Sequence, residues 1–185
     1  MSAKWSNYSL FGLPPPKNYS FCNCSEQELV NKDYFEALKL SKDFKKPILV
    51  DFTGMACVNC RKLEDNVWSN SKIDSIINSD YILTQLYVDK RKSVPLEIID
   101  KLDENGFKIG NKEISTIGEK WMTLQEQTFM KNTQPLHIIL MPCDNNDQCD
   151  EKLLGPVLAY KDANNVGYYF EWLSKGVENY KELLK

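Results

Sequence analysis

Two cysteines stand three apart in "ILVDFTGMACVNCRK", Ile48 to Lys62, where an apolar run breaks at a glycine and a helical pattern begins. A helix start leaves backbone N–H groups unpaired and carries the positive end of the helix dipole. A thiol placed there gives up its proton more readily. A second sulfur three residues on lies on the same helix face, within reach of a mixed disulfide formed at the first. The spacing marks Cys57 as a nucleophile and Cys60 as a resolving thiol. Arg61 and Lys62 follow directly; they add positive potential or are simply solvated. Two other uses of such a pair stay open, half of a zinc site and two inert core thiols. Zinc needs further ligands at suitable spacing, and the single histidine, His137, has no histidine partner. A buried strand directly upstream favours redox chemistry.

Other residues carry weaker signals. Asp51 puts a carboxylate inside "ILVDF", where burial is expensive and raises a carboxyl pKa; the plainer alternative is a strand-end aspartate bonded to backbone. Cys143 and Cys149 flank the polar stretch "DNNDQ" and can staple its ends in an oxidising compartment. Cys22 and Cys24 are one residue apart, a spacing that closes only a small ring. Reduced thiols or a link between the two groups stay open, and no metal site is expected. "DNNDQCDE" superficially resembles a calcium loop, but Cys149 stands where such a loop needs glycine. His137 reads as a strand residue rather than a catalytic base.

The elements that would position the pair follow from periodicity. With 185 residues, 42% hydrophobic and 26% charged, the chain can bury one well-packed core. A net charge of -3 argues against a nucleic-acid binder, and no apolar run reaches the ~18 residues of a membrane span. The start, "MSAKWSNYSL", lacks the apolar core of a signal peptide. For a protein working outside the cytoplasm, this implies a domain of something longer or a mature form. Residues 1–25, with "GLPPPKNYS", read as an extended linker or strap, and a domain is expected over 26–185. There "NKDYFEALKLSKDF" turns Tyr34, Ala37, Leu38, Ser41 and Phe44 to one helical face. "KPILVDF" reads as a doubly buried strand, followed by a helix from Cys57 to about Val67. "YILTQLYVD" and "QPLHIILMP" are further strands, "KLLGPVLAYK" a weaker one, and "NNVGYYFEWLSKGVENYKELL" a closing amphipathic helix. Trp68, Trp121, Phe129, Tyr168, Tyr169, Phe170 and Trp172 are expected to pack against the sheet. Such alternation builds an α/β layer structure with helices on both sheet faces.

"KPILVDFTGMACVNCRKLE" resembles the thioredoxin superfamily, and within it the C-terminal extracytoplasmic domain of the DsbD family of thiol:disulfide interchange proteins. The shared features are the strand, an aspartate six residues before the first cysteine, Cys-Val-x-Cys, and a glutamate four residues after the second cysteine. A proline also opens the later strand, in "NTQPLHIIL". The resemblance implies a thioredoxin-like fold, a central mixed sheet flanked by helices, over most of the chain. It implies that Cys57 and Cys60 are the redox-active pair, with Asp51 behind Cys60 exchanging protons with it. Glu64 would tune the same cysteine; its plainer alternative is an exposed helix residue. Pro135 would take a cis peptide bond beside the disulfide and leave the Gln134 backbone to pair with a substrate strand. Val58 and Asn59 would face the same substrate.

The resemblance also implies a reductase needing no cofactor. Electrons would come from a membrane-embedded donor domain of the same or a neighbouring chain and pass to periplasmic protein disulfides, the isolated domain being a monomer. A free-standing secreted oxidoreductase or isomerase, or a non-catalytic interaction module, are the alternatives. Two departures stand out. Ala56 precedes the pair and Val58-Asn59 separate it, where thioredoxin has tryptophan and Gly-Pro, which disfavours a general cytosolic thioredoxin. The stretch from about 90 to 117 is longer than usual and is expected to hold a helix, "PLEIIDKLDENG", and a hairpin, "FKIGNKEI", turning at Gly-Asn. "IGEKWMTLQEQTFMK" would then form the helix leading to Pro135.

Overall fold

The computed structural model describes residues 30–103, 105–142 and 152–185. The cysteines at 22, 24, 143 and 149 and the proline-containing stretch 1–25 lie outside the described residues.

The apolar run before the cysteine pair is strand β2, Ile48–Thr53, buried at all six positions. Withdrawing Ile48, Leu49, Val50 and Phe52 completely from water contributes about 1.5–3 kcal/mol for each large side chain. Such a strand needs cover on both faces, and it has a central place. It runs parallel to β3, Ile82–Tyr87, on one side and antiparallel to β6, Leu136–Met141, on the other. A short β1, Val30–Asn31, pairs with β3 at the far edge. Beyond β6 the weak "KLLGPVLAYK" segment splits into β7, Lys152–Leu153, and β8, Leu158–Ala159, both pairing with β6. The result is a six-stranded mixed sheet.

Side-chain alternation along the strands makes two cores. Ile48, Val50 and Phe52 share one face with Ile82, Leu86, Leu136 and Ile138. That face is covered by α1, Tyr34–Phe44, through Tyr34 and Ala37, and by α4, Ile117–Phe129, through Trp121. Leu49, Leu83 and Ile139 point the other way, under α2, Val58–Leu63, α3, Ser71–Asp80, and α6, Val166–Leu183. A single helical turn, α5, Tyr160–Ala163, joins β8 to α6. Trp68, Trp121, Tyr169 and Trp172 are buried as expected, but Tyr168 is 45% exposed, one step round α6 from the inward Tyr169. Phe44, the last residue of α1 before the left-handed Lys45, is likewise exposed.

The stretch before α4 corrects two expectations. "PLEIIDKL" is not helical. It belongs to β4, Ser93–Leu102, which pairs antiparallel with β5, Lys108–Thr116, in a separate two-stranded ribbon. Val94, Ile98 and Ile99 suit a strand, and Pro95 falls where the ladder register shifts between Ser93 and Glu97. The turn lies at Asp103–Phe107 rather than at Gly110-Asn111. The Asp103 carboxylate accepts from the amides of Asn105 and Phe107, both at 2.9 Å, and Gly106 supplies the positive φ of 81° that the turn requires. The ribbon lies on α4, held by Lys112 Nζ to Glu126 Oε2 at 2.7 Å and by the Gln127 amide donating to the Asp100 carbonyl. At the start of α4, the Gly118 amide donates to the Lys90 carbonyl. The backbone approaches so closely there that a Cβ would sit 2.5 Å from the Val88 carbonyl oxygen.

Candidate active site

The chain leaves β2 at Thr53, passes the buried Gly54, and reaches Cys57 at the N-cap of α2. Cys57 and Cys60 are joined as a disulfide, with Cα atoms 5.3 Å apart. Cys57 Sγ accepts the Cys60 amide at 3.1 Å, so one unpaired N–H of the helix start is directed at the first sulfur. Cys57 is partly exposed, with Val58 and Asn59 exposed beside it, whereas Cys60 is only 3% exposed. One sulfur of the pair can be approached from outside and the other cannot.

A polar row crosses the three central strands. Asp51 of β2 is flanked in register by Gln85 of β3 and His137 of β6, and all three are buried. Gln85 Nε2 donates to Asp51 Oδ2 at 3.1 Å. His137 Nε2 stands 3.2 Å from Asp51 Oδ1, at ion-pair distance but off the line of a good hydrogen bond. His137 Nδ1 meets the Tyr169 hydroxyl of α6 at 2.7 Å, and that oxygen accepts Trp68 Nε1–H at 2.9 Å. Asp51 is therefore a buried acid with side-chain partners, rather than a strand-end group bonded to backbone. His137 is a strand residue, as its apolar surroundings in "LHIIL" suggest, but it is also the acid's neighbour.

A second cluster sits at the end of α2. Past Leu63 the helix widens into a π turn, Glu64–Trp68, in which the Ser69 amide reaches back to the Glu64 carbonyl. The wider turn buries Glu64, Val67 and Trp68 together. Glu64, 5% exposed, is thus no solvent-facing helix residue. Its Oε1 lies 2.8 Å from Arg61 Nη2, which also donates to Thr53 Oγ1 at 3.2 Å. Arg61 is accordingly folded inward and its charge is matched locally, unlike the solvated alternative. Tyr87, beside Thr53 in the ladder, has its phenol pKa pushed up chiefly by burial; Arg61 pulls it down, while Glu64 and Asp51 push it up.

Two further features frame the cysteines. Asp89, just past β3, accepts the Met55 amide at 2.8 Å and the Ala56 amide at 3.0 Å, clamping the loop that leads into Cys57. Gly54 makes this approach feasible: a Cβ there would lie 3.1 Å from Asp89 Oδ2 and 3.3 Å from Cys57 Cβ. The Gln134–Pro135 peptide is cis. Because Phe52 pairs with Leu136, the next antiparallel step sets Pro135 opposite Thr53, at the strand end that feeds the cysteine loop. Gln134 precedes the ladder; its amide side chain donates to Gln125 Oε1 at 3.3 Å. Among the described residues no cluster of three or more His, Cys, Asp or Glu could hold a metal ion, and no helix is long and apolar enough to cross a membrane.

Asp89, Gln85, Tyr87 and Tyr169 were not foreseen as site residues. Gln85 carries the same signal as Asp51, one polar residue inside an apolar strand. Asp89 and Tyr169 carry none that is local.

Sheet, flanking helices and a cysteine pair at the start of the helix after the central strand define a thioredoxin-like fold. Residues 29–106 match the protein family described as Thioredoxin-like, a span that includes both cysteines. A thioredoxin from Thermus thermophilus superposes with a TM-score of 0.53 at 15% identity, covering 80% of this chain and 85% of that one. A DsbH oxidoreductase gives 0.49 at 20% identity over 80% and 83% of the chains. A disulphide isomerase from Xylella fastidiosa Temecula1 gives 0.42 at 13% identity over 82% and 88%. No curated protein matches the chain.

Proposed function

We propose that this protein is a thiol–disulfide oxidoreductase acting on protein disulfides through Cys57 and Cys60. The observation that carries the reading is the asymmetry of the pair: Cys57 caps the helix and is reachable, while Cys60 is buried one turn on. In the reduced protein the Cys57 thiolate attacks a partner disulfide, forming a mixed disulfide and releasing one partner thiolate. Cys60, losing its proton, then attacks the Cys57 sulfur, closing Cys57–Cys60 and releasing the second partner thiolate. The two protons lost by Cys57 and Cys60 end on the two partner thiols, so a partner disulfide is reduced as the pair is oxidised. The exposed Val58 and Asn59, with the backbone at Gln134 beside cis Pro135, would form the surface that an extended partner segment meets. A Cys60→Ala variant should accumulate mixed disulfides through Cys57. Mass mapping that finds them only at other cysteines would remove the assignment.

The direction proposed is reductive, within the DsbD-like branch. Electrons would arrive from a membrane-embedded donor domain and leave to extracytoplasmic protein disulfides. The support is the Cys-Val-x-Cys pair with Glu64 behind it, and a site whose buried acids, Asp51 and Glu64, disfavour further negative charge on the thiols. Equilibration with glutathione buffers, read by alkylation and mass, tests it. A potential near thioredoxin's ~-270 mV is expected, and one near the ~-120 mV of a strong oxidant would reverse the direction.

A further inference from the structure

The buried chain Trp68–Tyr169–His137–Asp51 has a proton arrangement that donor counting determines. The Tyr169 oxygen already accepts Trp68 Nε1–H, and an indole nitrogen can only donate. The phenol's one proton then needs an acceptor, and among the described residues its other hydrogen-bond partner is His137 Nδ1 at 2.7 Å. Nδ1 must therefore be unprotonated, which leaves the ring proton on Nε2, facing Asp51 Oδ1 at 3.2 Å. With Gln85 donating to Oδ2, Asp51 faces donors from both neighbouring strands.

We propose that Tyr169, oriented by Trp68, locks His137 as a neutral imidazole with its proton on Nε2, so that the buried acid Asp51 is held as a carboxylate while Cys57 and Cys60 are disulfide-bonded. The two competing arrangements fail at the same atom. An imidazolium, or an Nδ1–H tautomer accepting a proton from Asp51, would point a second N–H at the Tyr169 oxygen. The phenol proton would then be left without an acceptor in a fully buried site, which is costly. The Asp51 charge pulls the other way, favouring a cation on the ring. The other ionisable groups around the site are Arg61 and Glu64 of the active helix, which pair with each other. Tyr87 of β3 and Tyr81 beyond α3 are both held protonated, their pKa values raised mainly by burial. Tyr169 itself is held protonated chiefly by burial. In this arrangement His137 is a positioning residue: it presents Asp51 as an acceptor when Cys60 must give up its proton.

This role rests on the exchange reaction proposed above, but the lock can be read without any activity. His137 is the chain's one histidine, so nitrogen-15 labelling of histidine gives a single imidazole. In the oxidised full-length protein the nitrogen-15 signals at neutral pH should report Nε2 protonated and Nδ1 bare. In Tyr169→Phe, where the phenol no longer requires Nδ1 to stay bare, the ring should show a second form, the Nδ1–H tautomer or the imidazolium. A wild-type imidazolium at neutral pH, or a proton on Nδ1, would overturn the lock whether or not the variant folds. So would a folded Tyr169→Phe whose ring behaves as in the wild type. The second readout is the pH profile of exchange by the reduced protein. Tyr169→Phe should change the shape of that profile, where a purely structural loss would lower the rate evenly at all pH. An even loss would remove the positioning role, while a wild type inert toward every disulfide would remove the proposed function and leave the lock standing.

Discussion

Replacing Asp89 separates two effects that its carboxylate exerts on Cys57. Asp89 accepts the Met55 and Ala56 amides at 2.8 and 3.0 Å, and bonds to a charged acceptor are worth about 1.5–3 kcal/mol each when protected. Here the groups are exposed and the freed amides can turn to water, so Asp89→Ala should cost nearer 1–3 kcal/mol in all. That corresponds to a fall of roughly 2–12 °C in Tm for a chain of this size. The second effect is electrostatic. A Cβ at Gly54 would meet both Asp89 Oδ2 and Cys57 Cβ, so the carboxylate stands near enough to the first cysteine to disfavour a thiolate there. Removing the charge should therefore lower the reduced Cys57 pKa. Asp89→Asn keeps one acceptor oxygen and loses the charge, so it should show most of the pKa change and only part of the stability loss. Urea unfolding and the pH dependence of Cys57 alkylation measure the two separately. If Asp89→Ala unfolds within ~0.5 kcal/mol of the wild type and its alkylation profile is unmoved, Asp89 neither clamps the loop nor touches the thiol.

Three further outcomes follow from the geometry. Asp51→Asn puts an amide NH₂ either against Gln85 Nε2, which already donates there, or against His137 Nε2. It should therefore destabilise the fold by about 1–3 kcal/mol, whereas an unpartnered buried acid would be better neutralised; urea unfolding with a gain in stability would contradict the network. Gly118→Ala drives a Cβ into the Val88 carbonyl at 2.5 Å and the Lys90 nitrogen at 2.8 Å. The strain should cost about 1–3 kcal/mol in the same assay, despite alanine's better helix propensity. Glu119 caps α4 with Thr116, and hydrogen bonds from Ser115 and Thr116 hold its carboxyl pKa below the usual 4.5. A lowered folded pKa adds stability above the unfolded pKa and loses it as pH falls through the folded one. The stability gap between wild type and Glu119→Gln should thus be open at neutral pH and close below about pH 4.5.

Much of this architecture is legible because its signals are local. An apolar, β-branched run such as "ILVDF" or "LHIIL" can satisfy itself as a buried strand, and helices announce themselves by period and caps. The cysteine pair is read the same way, from a spacing and a neighbour. "PLEIIDKL" misleads because a short apolar stretch fits either period; its partner "KIGNKEIST" and the Asp103 turn decide for strand. The π turn that buries Glu64 leaves no mark in composition. His137 and Tyr169 become partners of Asp51 only through strand register and the docking of α6, contacts set by residues far along the chain. In sequence Asp51, Gln85 and His137 are three isolated oddities; the ladder makes them one row.

The span of that row bears on how the molecule reaches its native state. The Cys57–Cys60 thiols are in place early in synthesis, but Tyr169 reaches Trp68 across 101 residues and His137 reaches Tyr169 across 32. Contacts so distant form late, because loop closure costs entropy before any contact repays it. Chain emerging from a ribosome therefore carries both thiols well before the strand and helix that enclose Asp51 are available. During that interval the thiols are open to premature oxidation or to capture by other cysteines, and the docking of α6 closes it.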